Sequence, residues 1–82
     1  MNEIFIIGKI ASKVEYKFIV NNKKQYAKAE FEIERNKEVF KVIGYNNIAD
    51  YCYRKLKIND QVFIYGKIET GMRINARSIE SI

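Results

Sequence analysis

Proline, histidine and tryptophan are absent from this 82-residue chain, and cysteine occurs once, as Cys52. Without histidine there is no imidazole general base, no Ser-His or Cys-His dyad, and no histidine metal ligand. One cysteine forms neither an internal disulfide nor a multi-cysteine zinc site. Long hydrophobic runs are also missing. The longest, such as Ile4–Ile7, fall far short of the ~18 residues of a membrane-spanning helix. No charged segment followed by a leader-like apolar stretch opens the chain, so a cytoplasmic location is the simplest expectation. Low-complexity stretches, linkers and internal repeats are likewise absent. The length holds one domain, residues 1–82. Such a domain buries roughly 60–65% of its unfolded surface, which predicts modest stability.

Hydrophobic residues make up 48% of the chain, enough for a packed core. Fifteen Lys and Arg against ten Asp and Glu leave a net charge of +5. That excess favours an anionic partner, of which nucleic acid is the usual one. It also suffices merely to keep a small domain soluble.

Short alternating apolar segments broken by polar turns dominate the pattern, which predicts an all-β design with one helix. Strands are expected over about 2–11, 14–20, 25–34, 39–45, 61–70 and 73–82. The first is apolar on both parities, Ile4, Ile6 and Ile10 against Phe5 and Ile7. A strand of that kind is central or is covered by a second chain. Gly8 interrupts it where a bend or bulge would let a small sheet curl. Asn21 and Asn22 open a turn in which left-handed backbone is tolerated. The 25–34 segment is the clearest: Ala27, Ala29, Phe31 and Ile33 alternate with Lys28, Glu30, Glu32 and Glu34. Asn46 or Asn47 can cap the helix, whose apolar stripe is Ile48, Ala49, Cys52 and Leu56. Taking the long first meander as one bent strand that pairs twice, the fold is a five-stranded Greek-key barrel. Its helix lies between the third and fourth strands, which is the OB-fold. An SH3-like barrel is the rival, and a three-turn helix in mid-chain argues against it.

Several segments then become familiar in order. The opening 1–10, the alternating Ala27–Arg35, the run from Val42 through Tyr45, Ile48-Ala49 and Tyr53-Arg54-Lys55-Leu56, and Val62–Thr70 resemble bacterial single-stranded-DNA-binding proteins. The likeness spans nearly the whole chain, with a shortened final hairpin, and no single piece of it is a strict motif. It implies an OB-fold that binds single-stranded DNA, as a homodimer or homotetramer, with replication proteins as further partners. A compact chain ending at Ile82, without the family's acidic tail, resembles primosomal replication protein N and small phage-borne versions. The physics agrees in kind. Single-strand binders need a basic groove for phosphates and rings on which any base can stack, and six Tyr and five Phe beside fifteen cations supply both.

Carried residue by residue, the resemblance puts a basic residue and a stacking aromatic at Lys41 and Tyr45, on the parity opposite Phe40 and Val42. Lys17 and Phe18 form a second basic-aromatic step. Lys9, Tyr65, Lys67 and Arg73 are expected on or beside the same sheet surface. Phe5 and Ile7 are expected at a subunit interface. Phe63 is expected in the core or at that interface, and Cys52 in the core. Three features oppose the resemblance. Glu30, Glu32 and Glu34 repel phosphate on a strand of the expected surface. Glu69 stands where the family often has a basic residue. The family's stacking tryptophans are missing, with Val39 and Arg73 near two of their positions.

No nucleophile, base or metal set converges in the sequence, so no enzyme, metal or cofactor is expected. A protein-interaction OB module docking on a primase, helicase or polymerase remains the alternative function, favoured by the three glutamates. An RNA-binding OB domain is the third, though the clustered aromatics of such domains are not evident here.

Overall fold

The computed structural model describes residues 2–82. Six strands and one helix follow as β1 (Glu3–Ile10), β2 (Glu15–Asn21), β3 (Lys24–Arg35), β4 (Glu38–Tyr45), α1 (Asn47–Lys55), β5 (Gln61–Glu69) and β6 (Arg73–Ser81). Each segment with period-two alternation is a strand, with ends shifted by a residue or two. In β3 the alanines and Phe31 and Ile33 are buried, and Glu32 and Glu34 are exposed.

The strands form one sheet in the order β1-β5-β6-β4-β3-β2, and a further β1–β3 pairing closes the first five into a barrel. β1 pairs with β5 over most of its length, then with β3 at Lys9↔Glu34 and Ile10↔Ile33. β2 lies outside the closed circuit and extends β3 as a hairpin. The closed circuit of β1, β3, β4, β5 and β6 is a five-stranded barrel with α1 between its third and fourth strands, as expected for an OB-fold. The seam between β4 and β6 is parallel and short, Lys41↔Arg73 to Ile43↔Asn75.

Ile10, Ile33, Ile64, Ile74, Val42 and Val62 fill the barrel, fully buried. Burying one such side chain stabilises by about 1.5–3 kcal/mol. α1 rests on the barrel through Ala49 and Cys52 and, just past its end, Leu56, all buried; Ile48 is half-buried. Gly44 makes that contact close, since a Cβ there would lie 2.6 Å from Ile48 Cγ2.

Three local expectations are corrected. Asn46 precedes α1 but makes no side-chain cap bond. Its Oδ1 instead accepts from the Ala27 N–H at 3.3 Å, while its own N–H donates to the Ala27 carbonyl at 2.9 Å. This residue anchors the helix start to β3. Left-handed backbone falls at Asn36 and Lys37 in the β3–β4 turn, with φ of 51 and 68, and not at Asn21 or Asn22. The first hairpin therefore turns without the mirror-image geometry of the second. The bulge lies in β6, where Arg77 is the extra residue opposite Tyr65/Gly66 of β5, and Gly8 carries none. A Cβ on Gly66 would sit 2.3 Å from the Asn75 carbonyl oxygen. Gly8 marks the closure of the barrel, where a Cβ would be 3.2 Å from the Glu34 carbonyl oxygen.

Candidate nucleic-acid interface

Successive side chains on a strand point to opposite faces, and cross-strand partners stand about 5 Å apart. The registers of β2, β3, β4 and β6 therefore lay out the barrel's outer face as rows. The first row is Lys17, Lys28 and Tyr45. The second is Glu15, Glu30, Ile43 and Asn75. The third is Glu32, Lys41 and Arg73. Tyr26, beyond the first row, has its ring centroid 5.9 Å from that of Tyr45. Two rings and four cations, Lys17, Lys28, Lys41 and Arg73, thus share one surface.

Ile43 is the floor of this surface. It points outward between Glu30 and Asn75, yet it is 4% exposed, because the long side chains around it cover it. Glu30 lies at the centre. Its Oε1 is 3.0 Å from Lys28 Nζ and its Oε2 is 3.9 Å from Lys41 Nζ. The Lys28 ammonium holds the Glu30 carboxyl below the usual range, and Glu30 in turn raises Lys28. Of the three glutamates of β3, only Glu30 is half-buried and ion-paired among the described residues. The expected plain solvent face is thus split, with Glu32 and Glu34 exposed and Glu30 built into the cation cluster.

Lys41, Tyr45, Lys17 and Arg73 are brought together as expected. Lys67 flanks them, one strand beyond Asn75. The other expected residues lie elsewhere. Phe18 does not accompany Lys17, because neighbours on a strand face opposite ways. It sits opposite the buried Ala27, on the face where Tyr16 packs against Tyr53 at 5.0 Å and donates to Asp50 Oδ1 at 2.8 Å. Lys9 is at the barrel seam, opposite Gln61 and Glu34. Tyr65 belongs to a separate aromatic cluster on β1 and β5, its ring 4.5 Å from Phe5. Its hydroxyl donates to Glu3 Oε2 at 2.7 Å, and Arg77 approaches the same oxygen at 3.4 Å. Phe63 completes that cluster, 5.8 Å from Phe5 and edge-on to it. Phe63 is partly exposed rather than core.

Sequence reasoning misses Lys28, Tyr26 and Ile43. The turn lengths carry a signal for Lys28. The two-residue turn at Asn22-Lys23 puts Lys17 opposite Lys28, and the one at Asn36-Lys37 puts Tyr45 opposite Lys28 as well.

Cys52 is fully buried, and burial pushes its thiol up to about 12. It lies in the core as expected. Among the described residues, no helix is long and apolar enough to cross a membrane.

No family model and no curated protein sequence matches this chain. Solved structures of the same shape do. The SSB domain of a Synechococcus protein superposes with a TM-score of 0.86 at 15% identity, covering 98% of this chain and 94% of that one. The single-stranded DNA binding protein of Thermus aquaticus gives 0.86 at 14% identity, covering all of this chain and 40% of that one. A small single-stranded DNA-binding protein from Streptomyces coelicolor gives 0.70 at 20% identity, over 100% of this chain and 94% of that one. The chain therefore has the OB-fold found in single-stranded-DNA-binding proteins.

Proposed function

We propose that this protein binds single-stranded DNA without sequence preference, in replication, recombination or repair, and that it acts in the cytoplasm. The observation that carries the reading is the outer face of β2, β3, β4 and β6, where Lys17, Lys28, Lys41 and Arg73 surround the Tyr26–Tyr45 ring pair. The cations take phosphates and the rings take bases. Stacking is worth about 1–3 kcal/mol per base and is indifferent to base identity. The solved structures that share this shape are named as single-stranded-DNA-binding proteins, which supports the same reading.

Fluorescence anisotropy of labelled oligo-dT, at low and at moderate salt, tests it. The expected result is salt-sensitive binding that Lys41→Ala and Tyr45→Ala both weaken. A folded protein that leaves the oligonucleotide free at low salt overturns the reading. Docking on a replication protein then takes its place.

The same proposal includes a homo-oligomer. From Glu3 to Gly8, β1 is hydrogen-bonded to a strand on one edge only among the described residues. Its outer face presents Phe5, 66% exposed, and Ile7, 48% exposed, beside Phe63. Antiparallel pairing of two β1 strands about a two-fold axis at Ile6 uses only the free stretch and sets Ile4 opposite Gly8 and Phe5 opposite Ile7. That register covers the apolar pair. Ile7→Asp should leave a folded monomer by light scattering, and an unchanged mass removes this interface.

A further inference from the structure

The most unusual group on the proposed interface is its anion. Four cations lie near three carboxylates, those of Glu15, Glu30 and Glu32, so the excess charge there is small. The carboxylates are not equivalent. Glu30 contacts Lys28 with one oxygen at 3.0 Å and turns the other toward Lys41 at 3.9 Å, an ion pair beyond hydrogen-bond distance. Glu32, two residues along the same face and directly opposite Lys41, forms no ion pair among the described residues. Glu15 forms none either. The Glu30 carboxylate thus meets the same two ammonium groups that a backbone phosphate would seek. Carboxylate and phosphate oxygens make the same charge-assisted hydrogen bonds to lysine. Beneath the three side chains lies the covered Ile43, so the cluster is seated on apolar surface rather than spread into solvent.

We propose that Glu30 is an internal stand-in for phosphate: in the free protein it occupies Lys28 and Lys41, and a bound strand must displace it to reach them. The inference rests on reading this face as the single-strand interface, and it supplies the regulation of that face. Glu30 does two things at once. It holds two flexible lysines in position over Ile43, which spares the strand their ordering entropy. It also repels an arriving phosphate at contact range. The ion pairs are partly exposed and so hold the lysines only weakly, whereas a carboxylate left beside a seated phosphate repels it at contact range, so competition outweighs preorganisation. Affinity is held below what the cation count implies, and a bound strand leaves readily.

A pair of isosteric substitutions separates this from a general charge effect. Glu30→Gln and Glu32→Gln remove the same charge from the same face of the same strand. Only the first releases paired lysines. Full-length wild type and both variants, each shown to be folded by circular dichroism, are titrated with labelled oligo-dT across a salt series. Glu30→Gln should bind about tenfold more tightly at low salt. Its slope of log affinity on log salt should steepen by about 0.7 for each additional phosphate that the freed lysines neutralise. Glu32→Gln should raise affinity by a smaller factor, since its charge also repels phosphate on this face but holds no lysine that the substitution would release. Equal increases in affinity from the two variants would mean that only net charge matters, and would overturn the proposal. So would an unchanged or weakened affinity in Glu30→Gln. If neither wild type nor variants bind at low salt, the interface reading itself fails and this inference falls with it. Binding by Glu30→Gln alone, with wild type silent, supports both.

Discussion

Two of the ring clusters on the outside of the barrel differ in what surrounds the rings. On β3 and β4, Tyr26 and Tyr45 stand among Lys17, Lys28, Lys41 and Arg73. On β1 and β5, Phe5, Phe63 and Tyr65 pack on one another, beside Ile7, with Glu3 fastening the Tyr65 hydroxyl. A ring among cations sets a stacking surface for a base beside a charge for its phosphate. Rings that pack on each other, on a strand with an unpaired edge, suit a second protein surface better. Both clusters arise from the same alternation of polar and apolar residues. Aromatic content alone therefore does not say which surface meets nucleic acid.

The sharpest way to break this comparison is to remove one exposed ring from each side. Tyr45→Ala should lower affinity for an oligonucleotide spanning one subunit by about 1–3 kcal/mol. Phe5→Ala should change it by less than about twofold, because no cation of the β3–β4–β6 face adjoins that ring. Equal losses in anisotropy titrations would erase the distinction between the two sides. A smaller effect sharpens it. Lys17→Ala should flatten the slope of log affinity on log salt by about 0.7, the share of one phosphate contact. Lys9→Ala, at the seam beside Glu34, should leave the slope as it is, and a flattened slope there would extend the interface around the barrel. The smallest effect lies away from both clusters. Lys37 holds a left-handed φ of 68 in the β3–β4 turn, where glycine costs no steric strain. Lys37→Gly should raise stability to urea by about 0.5–1 kcal/mol and leave oligo-dT affinity unchanged. A loss of stability would show that Lys37 makes a contact the turn depends on.

The fold was legible because its signals are local. Alternation in 25–34, the helical spacing of Ala49, Cys52 and Leu56, and the order of elements need no knowledge of which strands are neighbours. The interface was legible only in part, because it is a property of register. Tyr45 and Lys41 share a parity, and parity can be read along one strand. Lys28 joins them through pairings across two hairpins. Phe18 fails to join them because Lys17, its neighbour in sequence, faces the other way. The division of labour among Glu30, Glu32 and Glu34 depends on side-chain reach across β3 and β4, to which a strict alternation is blind.

Cys52 gives the molecule a built-in timer. The thiol is sealed between α1 and the barrel, and at about 12 its pKa leaves almost no thiolate near neutral pH. Alkylating reagents consume thiolate, so the folded molecule is silent toward them. A labelling event counts one departure of the helix from its seat. With a single thiol in the chain, the rate of mass increase under a reagent reads the population of conformers that expose Cys52, without any engineered probe. Because β4 leads directly into α1, a ligand clamped across β3 and β4 should slow the clock.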